Sequence, residues 1–160
     1  MLRPATLSDI PLIHEMAHRV WWAHYPGIIT NEQIEYMLGR TYSVAALEQQ
    51  MIQDGQQFWI VEEGGTALGY LAISNQSDGA YFLHKFYLDA GQQRKGFGAR
   101  TFQSLLHQFP DLQALRLTVN RQNFKSINFY FKMGFVIEKC LDIPIGEGFV
   151  MNDFQMLWQK

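Results

Sequence analysis

FYLDAGQQRKGFGARTF, residues 86–102, is the stretch on which the fold turns. Phe86, Tyr87 and Leu88 close a buried-looking strand, a loop with Gly96 and Gly98 follows, and helical spacing begins there. A strand that runs through a glycine-rich loop into a helix has an obvious physical use. The first amides of a helix lack intrahelical acceptors, and glycines let a ligand approach the backbone, so an anion can be held there. Arg94 and Lys95 add positive charge to the same loop. The pattern predicts a phosphate or pyrophosphate ligand. Two phosphate loops do not fit: the P-loop spacing is absent, and a dinucleotide fingerprint wants a small residue where Thr101 stands. Alone, Gly96-Phe97-Gly98 reads equally well as a plain strand-to-helix turn.

Outward from this stretch the period alternates between helix and strand. Upstream, MLRPAT reads as a short strand, and Thr6 with Asp9 as a helix start running to Pro26-Gly27. Thr30 opens a second helix, and Ser43 caps a third that Gly55 ends. QFWIVEE (57–63) and TALGYLAIS (66–74) read as strands joined by a Gly64-Gly65 hairpin turn, and Asp78-Gly79 as a second turn before AYFLHKFYLD. Downstream come a helix ending before Pro110, the strand LRLTV, a helix over NFKSINFYFKMG, and the strands FVIEKCL and FVMNDFQMLW. The expected fold is α/β: one central mixed, mainly antiparallel sheet of about six to seven strands, with helices on both faces.

The 160 residues are enough for one domain with a substantial core. A formal charge of −2 with scattered basic residues offers no nucleic-acid footprint. No segment reads as a signal peptide or a membrane span, so a cytoplasmic location and no membrane partner are expected. Cys140, the single cysteine, rules out an intrachain disulfide and reads as a small core residue.

NRQNFKSINFYFKMGF, the segment after the next strand, carries a second motif. With the loop it resembles the GNAT superfamily of N-acetyltransferases. Gln93, Gly96 and Gly98 match that family's Gln/Arg-x-x-Gly-x-Gly/Ala loop. Asn123, Ser126, Tyr130, Gly134 and Phe135 match its following strand–helix segment. Ala90 stands where a proline is common. The resemblance implies a GNAT-like fold, one N-acetyltransferase domain over 1–160, and acetyl-CoA as cosubstrate with no metal. The pantetheine would pair with the backbone of Phe86, Tyr87 and Leu88, in a V-shaped gap beside that strand. The Leu88 amide would face the thioester oxygen, where losing such a donor typically costs ~3 kcal/mol of barrier. The pyrophosphate would rest on the amides of Gln93, Arg94, Lys95, Gly96, Phe97, Gly98 and Ala99. Asn123 would either bond the pantetheine or cap its helix.

Tyr130 matches the family's general acid for the departing thiolate, although three aromatics in a row also suit a core. The acceptor is expected to be a primary amine of a small molecule or peptide, attacking directly in a ternary complex. A free ammonium has a pKa near 10, so a base is needed. His84 is the titratable group on the cofactor strand; its other reading is a packed, hydrogen-bonded strand histidine. Glu35, Glu147 and Asp153 are further carboxylates for that role. Trp22, Tyr25, Tyr36 and Phe149 are expected to line the acceptor side, or else to be core. The layout also resembles bacterial polyamine N-acetyltransferases, with Asp142, Glu147 and Asp153 available for a cationic acceptor. Dimerisation is common in the family, which makes a homodimer an expectation. A silent CoA-binding sensor module is the alternative of a different class.

HEMAHRVWWAH, residues 14–24, offers a third reading, a zinc metallohydrolase through His14-Glu15-x-x-His18. On a continuous helix His24 would lie ~15 Å along the axis from His14. Zn–N bonds are only ~2 Å, so these three could not share one ion, while Glu32, Glu35 or Glu48 could supply a third ligand in another arrangement. The protease pattern also breaks its helix with a glycine where Trp21 stands. Ile10, Ile13, Ala17, Val20 and Trp21 instead make one apolar stripe, with Glu15 and Arg19 facing away.

Overall fold

Local sequence rules account for most of the element boundaries. The computed structural model describes residues 1–77, 79–92 and 96–160. Among them lie seven strands and five α-helices. The elements in chain order are β1 (Leu2–Pro4), α1 (Ile10–His24), α2 (Asn31–Tyr42), α3 (Val44–Ile52), β2 (Gln57–Glu63), β3 (Thr66–Ser77) and β4 (Ala80–Leu88). Then follow α4 (Phe97–Gln108), β5 (Ala114–Asn120), α5 (Phe124–Lys132), β6 (Val136–Gly146) and β7 (Phe149–Gln159). The hydrogen-bonded strand order is β1-β2-β3-β4-β5-β7-β6. This is the expected seven-stranded, mostly antiparallel sheet flanked by helices, with β4 and β5 as a parallel pair.

The caps work as the sequence predicts, with one difference. Thr30 accepts from the Gln33 amide at 3.2 Å and Ser43 from the Ala46 amide at 3.2 Å, so both helix starts are satisfied. At the first helix, Leu7–Asp9 form a 3-10 turn and α1 begins only at Ile10, with Pro11 in its first turn. Asp9 accepts from the Thr6 amide at 2.8 Å and from Arg3, and Arg3 also reaches Glu62 at 2.8 Å. The Arg3 guanidinium holds the Asp9 carboxyl down at about 2. At the hairpin, Gly64 and Gly65 have φ of 59° and 78°, the backbone that a two-residue turn needs.

By its contacts the chain forms two compact units, residues 1–74 with 84–110 and residues 75–83 with 111–160. In the first, α1, α2 and α3 pack on one another, and Ile13, Met16, Ile34, Leu47, Ile60 and Leu71 are fully buried. Val61, Leu68, Leu88 and Phe97 form a cluster of their own, against which Leu2 and Phe86 pack. This cluster joins the end of β4 to the first residue of α4. It follows from apolar residues standing at the end of β4 and at the start of α4.

In the second unit β5 is flanked by the start of β4, with Ala80–Phe82 opposite Ala114–Arg116, and by β7. β6 turns back into β7 through Glu147 and Gly148, both at positive φ. β6 runs on to Gly146, past the expected end at Leu141. Its Pro144 looks like a strand terminator, but β6 is last in the strand order, where a missing N–H is tolerated. The register slips at Ile137/Lys139 and again at Pro144/Gly146. Cys140 lies on this edge strand and is exposed, which corrects its expected place in the core. A side chain on an edge strand has a neighbour on one flank only.

Candidate active site

The first unit supplies the end of β4 and the start of α4. Gly96 takes the left-handed conformation (φ 72°, ψ 14°) that lets α4 begin at Phe97. The first helical bond runs from the Arg100 amide to the Gly96 carbonyl at 3.0 Å, so the amides of Phe97, Gly98 and Ala99 lie in the turn that precedes it. The Phe97 ring itself is buried in the cluster with Leu88, so only its backbone can face a ligand. Gln93, Arg94 and Lys95 lie outside the described residues.

Leu88 is buried, and its position depends on a residue that sequence reasoning passed over. A Cβ on Gly69 of β3 would collide with the Tyr87 carbonyl oxygen and lie 2.8 Å from Leu88 Cδ2. A lone glycine inside a strand signals such a close approach, so TALGYLAIS did carry the clue.

Around Tyr87 the sheet carries an aromatic cluster. The Tyr87 hydroxyl lies 3.1 Å from the Tyr25 hydroxyl, joining an expected cofactor-strand residue to an expected acceptor residue. Trp21 stacks 4.3 Å from Tyr25 and lies 6.1 Å from Tyr87, and Tyr70 lies 5.6 Å from Tyr87. Trp21 is buried while Trp22 is exposed, so the tandem tryptophans part company. Tyr36 on α2 is half-buried. Burial raises the phenols of Tyr42 and Tyr70 well above 10.

Alternate residues of β4 meet different surroundings. His84 is exposed, with Nε2 2.8 Å from the Ser74 hydroxyl. Desolvation first, and the positive Lys85 second, pull its pKa below 6.5, so it is a weak base. Lys85 is buried, and no carboxylate among the described residues pairs with it. Its Nζ donates to Gln50 Oε1 at 2.6 Å and to Gln56 Oε1 at 3.0 Å. The Phe58 ring lies 5.0 Å away and the Tyr42 ring 5.7 Å. Burial lowers Lys85 to about 7, with Asp54 opposing the shift. A surface cavity of about 390 Å³ lies elsewhere in this unit, lined by Leu7, Ile52, Phe58 and Trp59 among others, none of them an expected site residue.

The second unit supplies α5. Asn123 is its N-cap, accepting from the Ser126 amide at 3.2 Å. Tyr130 is buried, with the rings of Phe129 and Phe135 each 5.4 Å away. Phe149 begins β7 and is half-buried. Glu147 stands at the β6–β7 turn and is exposed, as Glu35 is on α2. Asp153 of β7 differs: it is 2 % exposed, and burial raises its carboxyl to about 6.

The histidine pair of α1 has its own account. His14 Nδ1 lies 2.6 Å from the Tyr42 carbonyl oxygen, which makes that nitrogen the donor. The His18 ring sits 4.5 Å from it, and desolvation lowers the His18 pKa. Among the described residues no three His, Cys, Asp or Glu side chains gather to hold a metal. Arg19, on the polar flank, forms a bidentate pair with Asp89 at 2.9 and 3.1 Å, just after β4. No helix among the described residues is long and apolar enough to cross a membrane.

Comparison with known proteins agrees with the two motifs. The profile of the acetyltransferase (GNAT) family matches residues 15–135. The chain is 26% identical to a spermidine N(1)-acetyltransferase of Thermoplasma acidophilum over 144 residues, covering 86% of this chain and 88% of that one. It is 28% identical to a peptidyl-lysine N-acetyltransferase of Escherichia coli over 141 residues, covering 88% and 86%. Its fold is similar to the crystal structure of the PaiA N-acetyltransferase from Thermoplasma acidophilum in complex with coenzyme A. The TM-score is 0.82 at 23% identity, covering 100% of this chain and 98% of that one. The spermidine N-acetyltransferase from Vibrio cholerae, in complex with CoA and spermine, gives a TM-score of 0.71 at 18% identity, covering 99% and 94%. Since the profile spans both the glycine loop and the Asn123–Phe135 segment, the chain belongs to the acetyltransferase (GNAT) family, as an acetyl-CoA-dependent N-acetyltransferase.

Proposed function

We propose that residues 1–160 act as one domain that moves the acetyl group of acetyl-CoA to a primary amine by direct attack in a ternary complex. The observation that carries this is the left-handed Gly96 at the start of α4, because it opens the helix amides that would hold the pyrophosphate. Gln93, Arg94 and Lys95, with the amides of Phe97, Gly98 and Ala99, would make up that cradle. The backbone of Phe86 and Tyr87 would pair with pantetheine, and the Leu88 amide would take the developing oxyanion. Asn123 would hold the cofactor through the part of its amide not used as a cap. Trp22, Tyr25, Tyr36 and Phe149 would bound the acceptor. Two acceptor classes are favoured by the relatives named above, polyamines and peptide lysines. A cytoplasmic location and a homodimer belong to the same reading.

Tyr130 would protonate the departing CoA thiolate. A phenol holds its proton at neutral pH, so it enters the reaction with a proton to give. Tyr130→Phe should therefore lower kcat by about 10²-fold while leaving the Kd for acetyl-CoA within threefold. Equal turnover by the variant would remove Tyr130 from the chemistry. The broader test is thiol release from acetyl-CoA across spermidine, spermine, amino acids, lysine peptides and aminoglycosides. Saturable binding of acetyl-CoA with no acceptor giving turnover would favour a silent CoA-binding module instead.

A further inference from the structure

Acetyl transfer to an amine needs a proton acceptor, and His84 is a weak one. Asp153 stands on β7 opposite Asn120, the last residue of β5. Next to that pair the Arg121 amide donates to the Asn152 carbonyl oxygen at 2.9 Å, and the Asn123 amide to the Asn120 carbonyl oxygen at 2.9 Å. Asp153 thus lies at the end of β5 that leads into the Asn123–Phe135 motif. Its carboxylate is sealed off, while Thr118 of β5, which donates its hydroxyl to it, is half-buried. Thr118 pairs with Gln155, two residues along from Asp153, so both side chains stand on one face of the sheet. Arg121 is held by Asp142 of β6 at 2.6 Å and by the Cys140 sulfur at 2.6 Å, and its positive charge opposes part of the upward shift of Asp153.

Building on the acetyl-transfer reading, we propose that Asp153 is the proton acceptor for the amine, reached through the Thr118 hydroxyl. Thr118 passes its proton to the carboxylate and takes one from the ammonium, leaving a neutral amine. The amine attacks the thioester carbon, a C–N bond forms, and the C–S bond breaks as Tyr130 protonates the thiolate. The attacking nitrogen loses its second proton, which restores Tyr130, and Asp153 releases its proton to water. The balance is ammonium plus acetyl-CoA giving amide, CoA thiol and one proton.

The position has a measurable signature beyond rate. Asp153 has its carboxyl raised in the folded state, so the cost of the charged form grows from the ordinary 3.8 and is complete above about pH 6. Asparagine keeps the shape and removes that cost. Asp153→Asn is therefore expected to raise the Tm by several degrees at pH 7.5 and to lower kcat/KM about 10²-fold. The assay uses the amine with the highest turnover in the panel. The wild-type profile should fall on its acid side with a midpoint near pH 6, and the variant should lack that limb. Thr118→Val should slow the enzyme similarly, Thr118→Ser should restore it, and His84→Gln should leave the limb in place. An Asp153→Asn enzyme with wild-type rate, or with the acid limb retained, overturns the assignment to Asp153 alone. A wild-type protein that binds acetyl-CoA and acetylates no amine overturns the transfer reading and this proposal with it.

Discussion

Gly69→Ala is expected to lose about 2–4 kcal/mol of stability, seen as a fall in Tm of roughly 5–10 °C, and to weaken acetyl-CoA binding at least tenfold. The added methyl has nowhere to go. It meets the Tyr87 carbonyl oxygen and the Leu88 Cα at 3.1 Å, both backbone atoms of β4, and Leu88 Cδ2 at 2.8 Å. A flexible side chain could swing aside; a strand held by its neighbours can move only as a unit. The displaced atoms belong to the segment proposed to hold pantetheine and the thioester oxygen, so a shift well under 1 Å is felt in binding as well as in folding. Gly39→Ala is the matched control. Gly39 sits inside α2 with nothing within 4 Å of an added Cβ, so alanine there should stabilise by about 0.5–1 kcal/mol. A Gly69→Ala protein that melts within 1 °C of wild type would show that the strand end has slack.

Stability should rise, not fall, between pH 7 and pH 9, and Lys85 is the reason. Its folded value of about 7 lies below the ordinary 10.5 of the unfolded chain. Below pH 7 the ammonium is charged in both states, and the folded state bears the full desolvation cost. Between 7 and 10.5 the folded protein sheds that proton first, and the cost disappears. Each pH unit in this window contributes up to about 1.4 kcal/mol, so the gain from pH 7 to 9 is roughly 2–3 kcal/mol, or about 4–12 °C in Tm. Among the described residues, the other shifted groups titrate outside the window. Asp153 and His84 lie below it, and the buried phenols of Tyr42 and Tyr70 lie above. Lys85→Met should flatten the slope, although it leaves Gln50 and Gln56 without their donor and lowers stability overall. Thermal melts at fixed ionic strength decide it: parallel slopes for wild type and variant would assign the effect elsewhere.

Much of this molecule could be read from its sequence because the signals were local. Thr30 and Ser43 capped their helices, Gly64-Gly65 turned a hairpin, and the glycine loop led into α4, each within a few residues. Trp21, the residue that spoke against a zinc helix, is indeed in the apolar stripe. The misreadings share a cause, which is dependence on distant chain. Cys140 is apolar enough for a core, yet whether its strand is central or at the edge is decided by pairing between β6 and β7. Pro144 ends a strand in most settings, and only the outermost place lets it stay. Lys85 sits 35 residues from Gln50, so no window of sequence shows that two amide oxygens bury an ammonium. Asp153 was visible as a carboxylate near the end of the chain, but its burial came from strand order. Gly69 is the exception, since its clue was local and was missed.

The outer strand also bears on how this chain survives its own synthesis. β6 is long and carries exposed Val136 and Ile137, the kind of segment that can recruit a strand from another molecule into a growing sheet. Two slips in register bend its free edge, and Pro144 withholds a hydrogen-bond donor near its far end. Glu138, Lys139 and Asp142 set charges along the same length. A newcomer strand would find no straight run of donors and acceptors to match. The enzyme can thus leave an apolar edge in water without seeding fibres, and the irregularities of β6 act as its guard against polymerisation.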